Sequence, residues 1–245
     1  MFTYAAYRRY RRRRRRRRIA YLTAVALLVA IAVQHAAQAH RPTPAQPVRA
    51  ASSPSSTALA ARVLTGRGVR WLDFHGIELP VSATAGPHYL HNGLSRGFTG
   101  TPAGAVLAAV NIVVRTAAQW GPGIYRPTIL RQVTGPAART LLANDRGGYR
   151  ALRAAAHVAP GQPAGRGYAL EAAYRLDRYT PLSAAVEIVS EGPASNGTAV
   201  RAVTRIQLRW LRGDWRVLAP PGGSWANSST PVFSLSGYTA FPSEG

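Results

Sequence analysis

Three periods order the apolar residues of this chain, and each predicts a different kind of element. From Ile19 to Val33 the apolar positions run without a break, and continued through Ala39 the segment reaches 21 residues. As a helix rising 1.5 Å per residue it would measure about 32 Å, enough to cross the hydrocarbon core of a bilayer. After Thr101-Pro102, which supplies an N-cap and a first-turn proline, Val106, Leu107, Val110, Val113 and Val114 recur at helical spacing. They predict a helix over 102–117. Weaker helical patterns follow over 127–133 and 136–144, opened by Pro127 and Pro136, with a further turn or two over 150–157.

Beyond Gly167 the period falls to two. Tyr168, Leu170, Ala172, Tyr174 and Leu176 alternate with Glu171, Arg175 and Asp177, and a second strand is expected over 184–190. The clearest strand is 199–211, with Val200, Ala202, Thr204, Ile206, Leu208 and Trp210 on one face and Arg201, Val203, Arg205, Gln207 and Arg209 on the other. Arg212-Gly213-Asp214 then turns the chain into Trp215–Leu218, completing a hairpin. Near the start of the folded region, residues 69–80 flank His75-Gly76 like a short hairpin, and Gly86-Pro87 and Asn92-Gly93 punctuate an irregular loop up to Gly100.

Helices first and strands afterwards predict an α+β domain, its helices packed on a curved antiparallel sheet of about four strands. The expected organisation is an Arg-rich tail over 1–18, a transmembrane helix over 19–39, and a Pro/Ser/Ala-rich linker over 40–66. The α+β domain occupies 67–220, and a loose tail over 221–245 offers Trp225, Phe233 or Tyr238 for partial packing.

Charge orients this plan. The chain has 31 basic residues, every one an arginine, and nine acidic ones. Arg8, Arg9 and the run Arg11, Arg12, Arg13, Arg14, Arg15, Arg16, Arg17 and Arg18 immediately precede the apolar segment. An arginine at the bilayer centre costs several kcal/mol, whereas one beside the anionic cytoplasmic leaflet gains roughly 1 kcal/mol. The run is therefore expected to stay in the cytoplasm against anionic lipid headgroups, in a single-pass protein of the cell membrane with its C-terminal domain extracellular. A cleaved signal peptide is the alternative, since Ala37-Gln38-Ala39 has the form of a cleavage site. Direct nucleic-acid binding is not expected, because phosphate-binding runs rarely abut an apolar segment. Ten of the arginines lie in this leader, leaving 21 against nine acids, so the exported part is itself basic and suited to an anionic partner. With no cysteine, disulfides and thiolate metal sites are excluded.

Catalytic patterns are sparse. Gly93-Leu94-Ser95-Arg96-Gly97 matches the G-x-S-x-G nucleophile elbow, and Asp145 and His157 follow in hydrolase order. The elbow needs a buried strand before it and a helix directly after, yet few folded residues precede it and Phe98-Thr99-Gly100-Thr101 intervenes. His75, His88 and His91 with Asp73 lack the helical spacing of a zinc enzyme, and no metal or cofactor is expected. Glu171 and Glu187 are expected to pair with Arg175 or Arg201 rather than act as an acid pair. Asn196-Gly197-Thr198 and Asn227-Ser228-Ser229 match glycosylation sequons by accident of composition. Arg201, Arg205 and Arg209 repeat every four residues, about 13 Å apart along one strand face. They read either as the wet side of a half-buried sheet or as a docking face for an acidic partner.

An Arg-rich tail, one span, a tether, then helices and strands closing on Arg209-Trp-Leu-Arg-Gly-Asp-Trp-Arg-Val-Leu218 resemble a known arrangement. It looks like the cystatin-like or nuclear-transport-factor-2-like (NTF2-like) extracytoplasmic domains of conjugation and type IV secretion inner-membrane scaffold proteins. Trp71-Leu72, Leu79-Pro80, Gly86-Pro87, Gly97-Phe98 and Thr101-Pro102-Ala103-Gly104-Ala105 are similar to proteins of high-GC Gram-positive bacteria, some encoded near conjugative elements. The resemblance implies a non-enzymatic interaction scaffold whose partners are membrane or transfer-machine proteins, or a second copy of the chain. The competing expectation is a binding domain for a small ligand or an anionic cell-wall polymer, with a pocket lined by Tyr168, Tyr174 and Trp210.

Overall fold

The computed structural model describes Leu64, residues 68–193 and residues 199–242. The arginine leader, the apolar segment over 19–39 and nearly all of the 40–66 linker lie outside the described residues, as does the Asn196 sequon. Among the described residues no helix is long and apolar enough to cross a membrane.

Two hairpins open the domain. Strands β1 (Val69–Phe74) and β2 (Ile77–Ser82) turn at His75-Gly76, where the Asp73 carboxylate accepts from the Gly76 amide at 3.0 Å. Strands β3 (Tyr89–His91) and β4 (Leu94–Arg96) turn on Asn92-Gly93. Three-residue strands are too short to show a period, so their Asn-Gly hairpin signal reads as loop in the sequence.

Helix α1 (Pro102–Thr116) begins at Thr101, whose hydroxyl accepts from the Gly104 amide at 3.1 Å. Ala105 through Val110 are each no more than 1% exposed, as befits a helix that is apolar all round and lies in the middle of a domain. Helices α2 (Pro122–Gln132) and α3 (Ala138–Ala155) follow. Sequence periodicity breaks α3 at Gly147-Gly148, since each glycine costs about 1 kcal/mol in a helix interior. Packing overrides that penalty: Leu141 and Tyr149 are buried against α2, and Gly148 lies against Ala118.

The remaining strands are β5 (Val133–Thr134), β6 (Leu170–Thr180), β7 (Ser183–Pro193), β8 (Ala199–Leu211), β9 (Asp214–Leu218), β10 (Ser229–Pro231) and β11 (Thr239–Ala240). They form one seven-stranded sheet in the order β11-β6-β7-β8-β9-β5, with β10 also pairing β8. The expectation of about four antiparallel strands is therefore overturned. The sheet is larger, and the β5–β9 pair is parallel, making it mixed. The cystatin-like or NTF2-like fold assignment falls with the four-stranded sheet. The three strands that sequence reading missed have two or three residues each and come from distant segments. Nothing in their own pattern marks them as strands.

The sheet is covered along one face and over part of the other. Against α1 it turns Tyr174, Leu176, Val186, Ile188, Ile206, Leu208, Trp215 and Val217 into the main core. On the opposite, outer face the segment after β10 crosses from the β8 edge to the β6 edge, laying Val232, Leu235 and Tyr238 over Ala173, Val189 and Val203. The chain then turns inward at Phe241, whose ring packs against Tyr174 at 4.9 Å and Trp71 at 5.9 Å. The C-terminal segment is thus a strap pinned at both ends, and Phe233 on it is 96% exposed.

Candidate functional site

The outer sheet face holds the arginine stripe, and the strap divides it into two unlike halves. At the strapped half Glu187, 1% exposed, is the hub. Its Oε1 accepts from Arg205 Nε at 2.6 Å, and its Oε2 meets Arg175 Nη2 at 2.7 Å and the Tyr238 hydroxyl at 2.9 Å. Burial works to raise the Glu187 pKa, but hydrogen bonds from Arg205 and Tyr238 and the charges of Arg175 and Arg205 outweigh it. The carboxyl is held below its ordinary range. Arg201 pairs with Glu191 at 2.8 Å, and the Arg175 guanidinium lies 4.9 Å from the Tyr238 ring centroid.

The other half carries the same residue type, and its Asp214 carboxylate accepts backbone amides instead of forming an ion pair. Arg209 on β8 sits directly opposite Arg216 on β9. Arg178 on β6 faces Ala185, which faces Gln207, so all of them lie on the outer face. Arg96, at the end of β4, is brought beside this row by Asp214. That carboxylate accepts from the amides of Gly97 at 3.1 Å, Phe98 at 3.2 Å and Trp215 at 2.9 Å, docking the small hairpin onto the start of β9. Arg216 donates to the Arg131 carbonyl at the C-terminal end of α2. Its pKa is lowered, first by burial, with Arg96 and Arg212 pushing the same way and Asp214 opposing. Among the described residues Arg96, Arg131, Arg178, Arg209 and Arg212 make no ion pair with an acid.

This basic row ends in a shallow groove of about 320 Å³ lined by Tyr89, His91, Asn92, Leu94, Arg96 and Arg131. Tyr89 is 69% exposed and lies over Gly97, where a Cβ would come within 2.8 Å of its ring. Gly93, at φ 76°, lets the turn approach α2 so closely that a Cβ would sit 2.7 Å from the Gly123 carbonyl. Both glycines of the G-x-S-x-G pattern thus serve packing of the hairpin. Ser95 itself is fully buried on β4, its carbonyl accepting from Gln132 and its hydroxyl without a partner. Asp145 lies instead beside Tyr125 on α2, and burial pushes its pKa up to about 7.

The other sequence candidates are dispersed. His88 and His91 are exposed on the small hairpin, whereas His75 stacks on Trp120 at 5.3 Å, its pKa lowered chiefly by burial. Among the described residues no three His, Cys, Asp or Glu side chains gather as a metal site. Glu171, paired with Ser190 at 2.7 Å, faces α1 while Glu187 faces the strap, so the sheet separates the two carboxylates. Tyr174 is buried against Phe241, Trp210 packs on Trp215, and Tyr168 is exposed, so the three do not line one pocket. The structure also splits the predicted docking stripe. Arg201 and Arg205 are engaged by acids, and Arg209 alone joins the free row.

One family model, described as Domain of unknown function (DUF8175), matches residues 33–240, a span that takes in nearly all the described residues. The chain belongs to this family. No curated protein matches it, and no solved structure does. The DUF8175 match runs to the last residue of β11, so the strap belongs to the DUF8175 domain itself. Sequence reasoning missed most of the basic row, although one signal was present: a two-residue turn at Arg212-Gly213 sets Arg209 opposite Arg216.

Proposed function

We propose that this domain is a binding module for an anionic chain-like partner, held outside the cell membrane by the arginine-led apolar segment. The observation that carries the reading is the row of arginines, on the open half of the sheet and around the groove, that make no ion pair with an acid among the described residues. Like charges directly opposite one another in a sheet are destabilising. The Arg209–Arg216 pair therefore raises the energy of the unliganded domain, and a bound anion relieves it. Guanidinium groups also form the stronger, charge-assisted hydrogen bonds to oxyanions.

The transfer-machine scaffold would need a protein partner on the same face. Protein interfaces concentrate their energy in buried apolar or aromatic anchors at the centre. The strands of the open half turn mainly Arg, Gln, Ser and Ala outward, with Leu182 and Leu211 at the turns and Tyr89 in the groove as the exposed large apolar or aromatic side chains. That composition fits a hydrated polyanion better than a protein face.

The test is retention of the full chain, reconstituted in vesicles of neutral lipid, by immobilised polyanions over a salt gradient. Wild type should elute at higher salt than Arg178→Ser/Arg209→Ser/Arg212→Ser, which leaves the leader untouched. Equal elution of the two would refute the reading. Protease protection in intact cells tests the placement, with cleavage of the C-terminal domain expected from outside.

A further inference from the structure

We infer that the β6–β7 and β8–β9 turns, with Tyr89 beside them, form a contact edge by which the domain docks on a bilayer containing anionic lipid. The inference goes beyond the binding of a chain-like anion and rests on the anchored placement proposed above. Topology brings the parts together. Strands β6 and β8 run toward the same end of the sheet, and the turns that follow them are joined by a hydrogen bond from the Trp210 amide to the Leu182 carbonyl at 2.9 Å. Leu182, 70% exposed, and Leu211, 41% exposed, therefore stand on neighbouring turns. Asp214 adds a third group. Through the Gly97 amide it holds the β3–β4 hairpin at this end, and the ring of Tyr89, 69% exposed, lies against Gly97.

Around these three groups the free charges are arginines. Arg212 lies in the β8–β9 turn itself, Arg209 two residues before Leu211, Arg178 four before Leu182, and Arg96 next to Gly97. The acids of this end are engaged, Asp214 by backbone amides and Asp177 by Arg175 at 2.6 Å. An anionic leaflet attracts each of these guanidinium groups. The leucines gain by leaving water, and an amphipathic tyrosine ring settles at headgroup level. A soluble polyanion leaves the leucines in water, whereas a bilayer surface takes up both sets of side chains, and that selects the bilayer. The tether favours the contact further. Only residues 40–63 separate the end of the apolar segment from Leu64, so docking is an intramolecular step for which weak contacts suffice.

The chain has no cysteine, so one introduced cysteine takes a label at a single place. The experiment reconstitutes the full chain in nanodiscs containing phosphatidylglycerol, with the environment-sensitive dye NBD on Leu182→Cys, Leu211→Cys or, on the strap, Phe233→Cys. Quenching by lipids that carry a nitroxide high on the acyl chain reports contact with the bilayer. Dye at both turns should be blue-shifted and quenched more strongly than dye at Phe233. Read from Leu211→Cys, the added changes Arg178→Ser/Arg212→Ser should lower the ratio of docked to undocked domain about tenfold or more. Leu182→Ser/Tyr89→Ala should lower it about tenfold as well. High salt should weaken the contact through the arginines and leave the leucine contribution in place. Melting curves confirm that each variant is folded. Equal quenching at the three labels, or stronger quenching at Phe233, would overturn the docking edge, as would quenching at Leu211 that neither pair of substitutions reduces. Failure of the chain to co-purify with nanodiscs would overturn the anchored placement and the docking with it. Co-purification with unquenched turns would overturn the docking alone.

Discussion

Two halves of one sheet face, built on the same strand and the same residue type, have opposite electrostatics. At Arg201 and Arg205 each guanidinium meets a carboxylate at 2.8 or 2.6 Å and the strap closes over the neighbouring residues. At Arg209 the neighbour on β9 is another arginine, and among the described residues no segment crosses above it. Composition therefore does not decide what a charged face is for. What decides is whether the fold brings an acid and a cover to it, and in this domain both come from one side.

The strap is the element to break first. Phe241 is its deepest anchor, 8% exposed between Trp71 and Tyr174. Phe241→Ala should cost about 3 kcal/mol by urea unfolding, the usual range for removing a buried ring. Limited proteolysis should then cut between residues 229 and 240. Unfolding at the wild-type midpoint with no new cleavage would mean that the strap is not held from this end.

A second contrast separates the faces by pH. Glu187, surrounded by cations, titrates below its ordinary range, whereas burial pushes Glu171 up to about 7 against the opposing hydrogen bond from Ser190. For Glu187 the unfolded chain binds more protons at acid pH, so its contribution is complete above the ordinary carboxylate pKa and is lost as pH falls through the folded value. For Glu171 the native state binds more protons between about 4.5 and 7, so stability falls as pH rises through that window. Glu171→Gln should remove that fall and gain about 3 kcal/mol over wild type at pH 8, with little difference at pH 4.5. Asp145, also pushed up to about 7, keeps a residual slope of the same sign. Identical slopes for wild type and variant between pH 5 and 7 would show that Glu171 is hydrated in the native state.

The sequence carried the long elements and lost the short ones. Period-two alternation located β6, β7 and β8 because each is eleven or more residues long, although bulges in β6 at Glu171/Ala173 and Leu176/Arg178 shift its phase and put Glu171 on the core face, and Thr101-Pro102 marked the start of α1. The strands β5, β10 and β11 carry no pattern of their own and exist only because the sheet edge offers them unpaired backbone. The same limit hid the site. Arg96, Arg131 and Arg178 are far apart in sequence and converge only through the β3–β4 hairpin, the end of α2 and the order of the sheet. The Arg201-Arg205-Arg209 repeat was legible, but its division was not, since the acids that quench two of the three come from β7, and Tyr238 on the strap completes the hub.

The smallest effect makes the sharpest test of that division. Gln207 lies on the outer face between Arg205 and Arg209, on the row shared with Arg178, and it is exposed. A glutamate there would supply an exposed acid free to pair with these arginines, which Asp214, held by backbone amides, does not. Gln207→Glu should stabilise the domain by a few tenths of a kcal/mol at low salt, as exposed ion pairs do. The gain should vanish at 1 M salt, where the screening length shrinks to about 3 Å. The same charge four residues earlier meets the opposite environment: Val203 is 6% exposed beneath Val232, Leu235 and Tyr238. Val203→Glu should therefore lose about 2 kcal/mol or more. If Gln207→Glu destabilised as Val203→Glu does, the open half would have to be covered as well, and the room for a polyanion along Arg178, Arg209 and Arg216 would be gone.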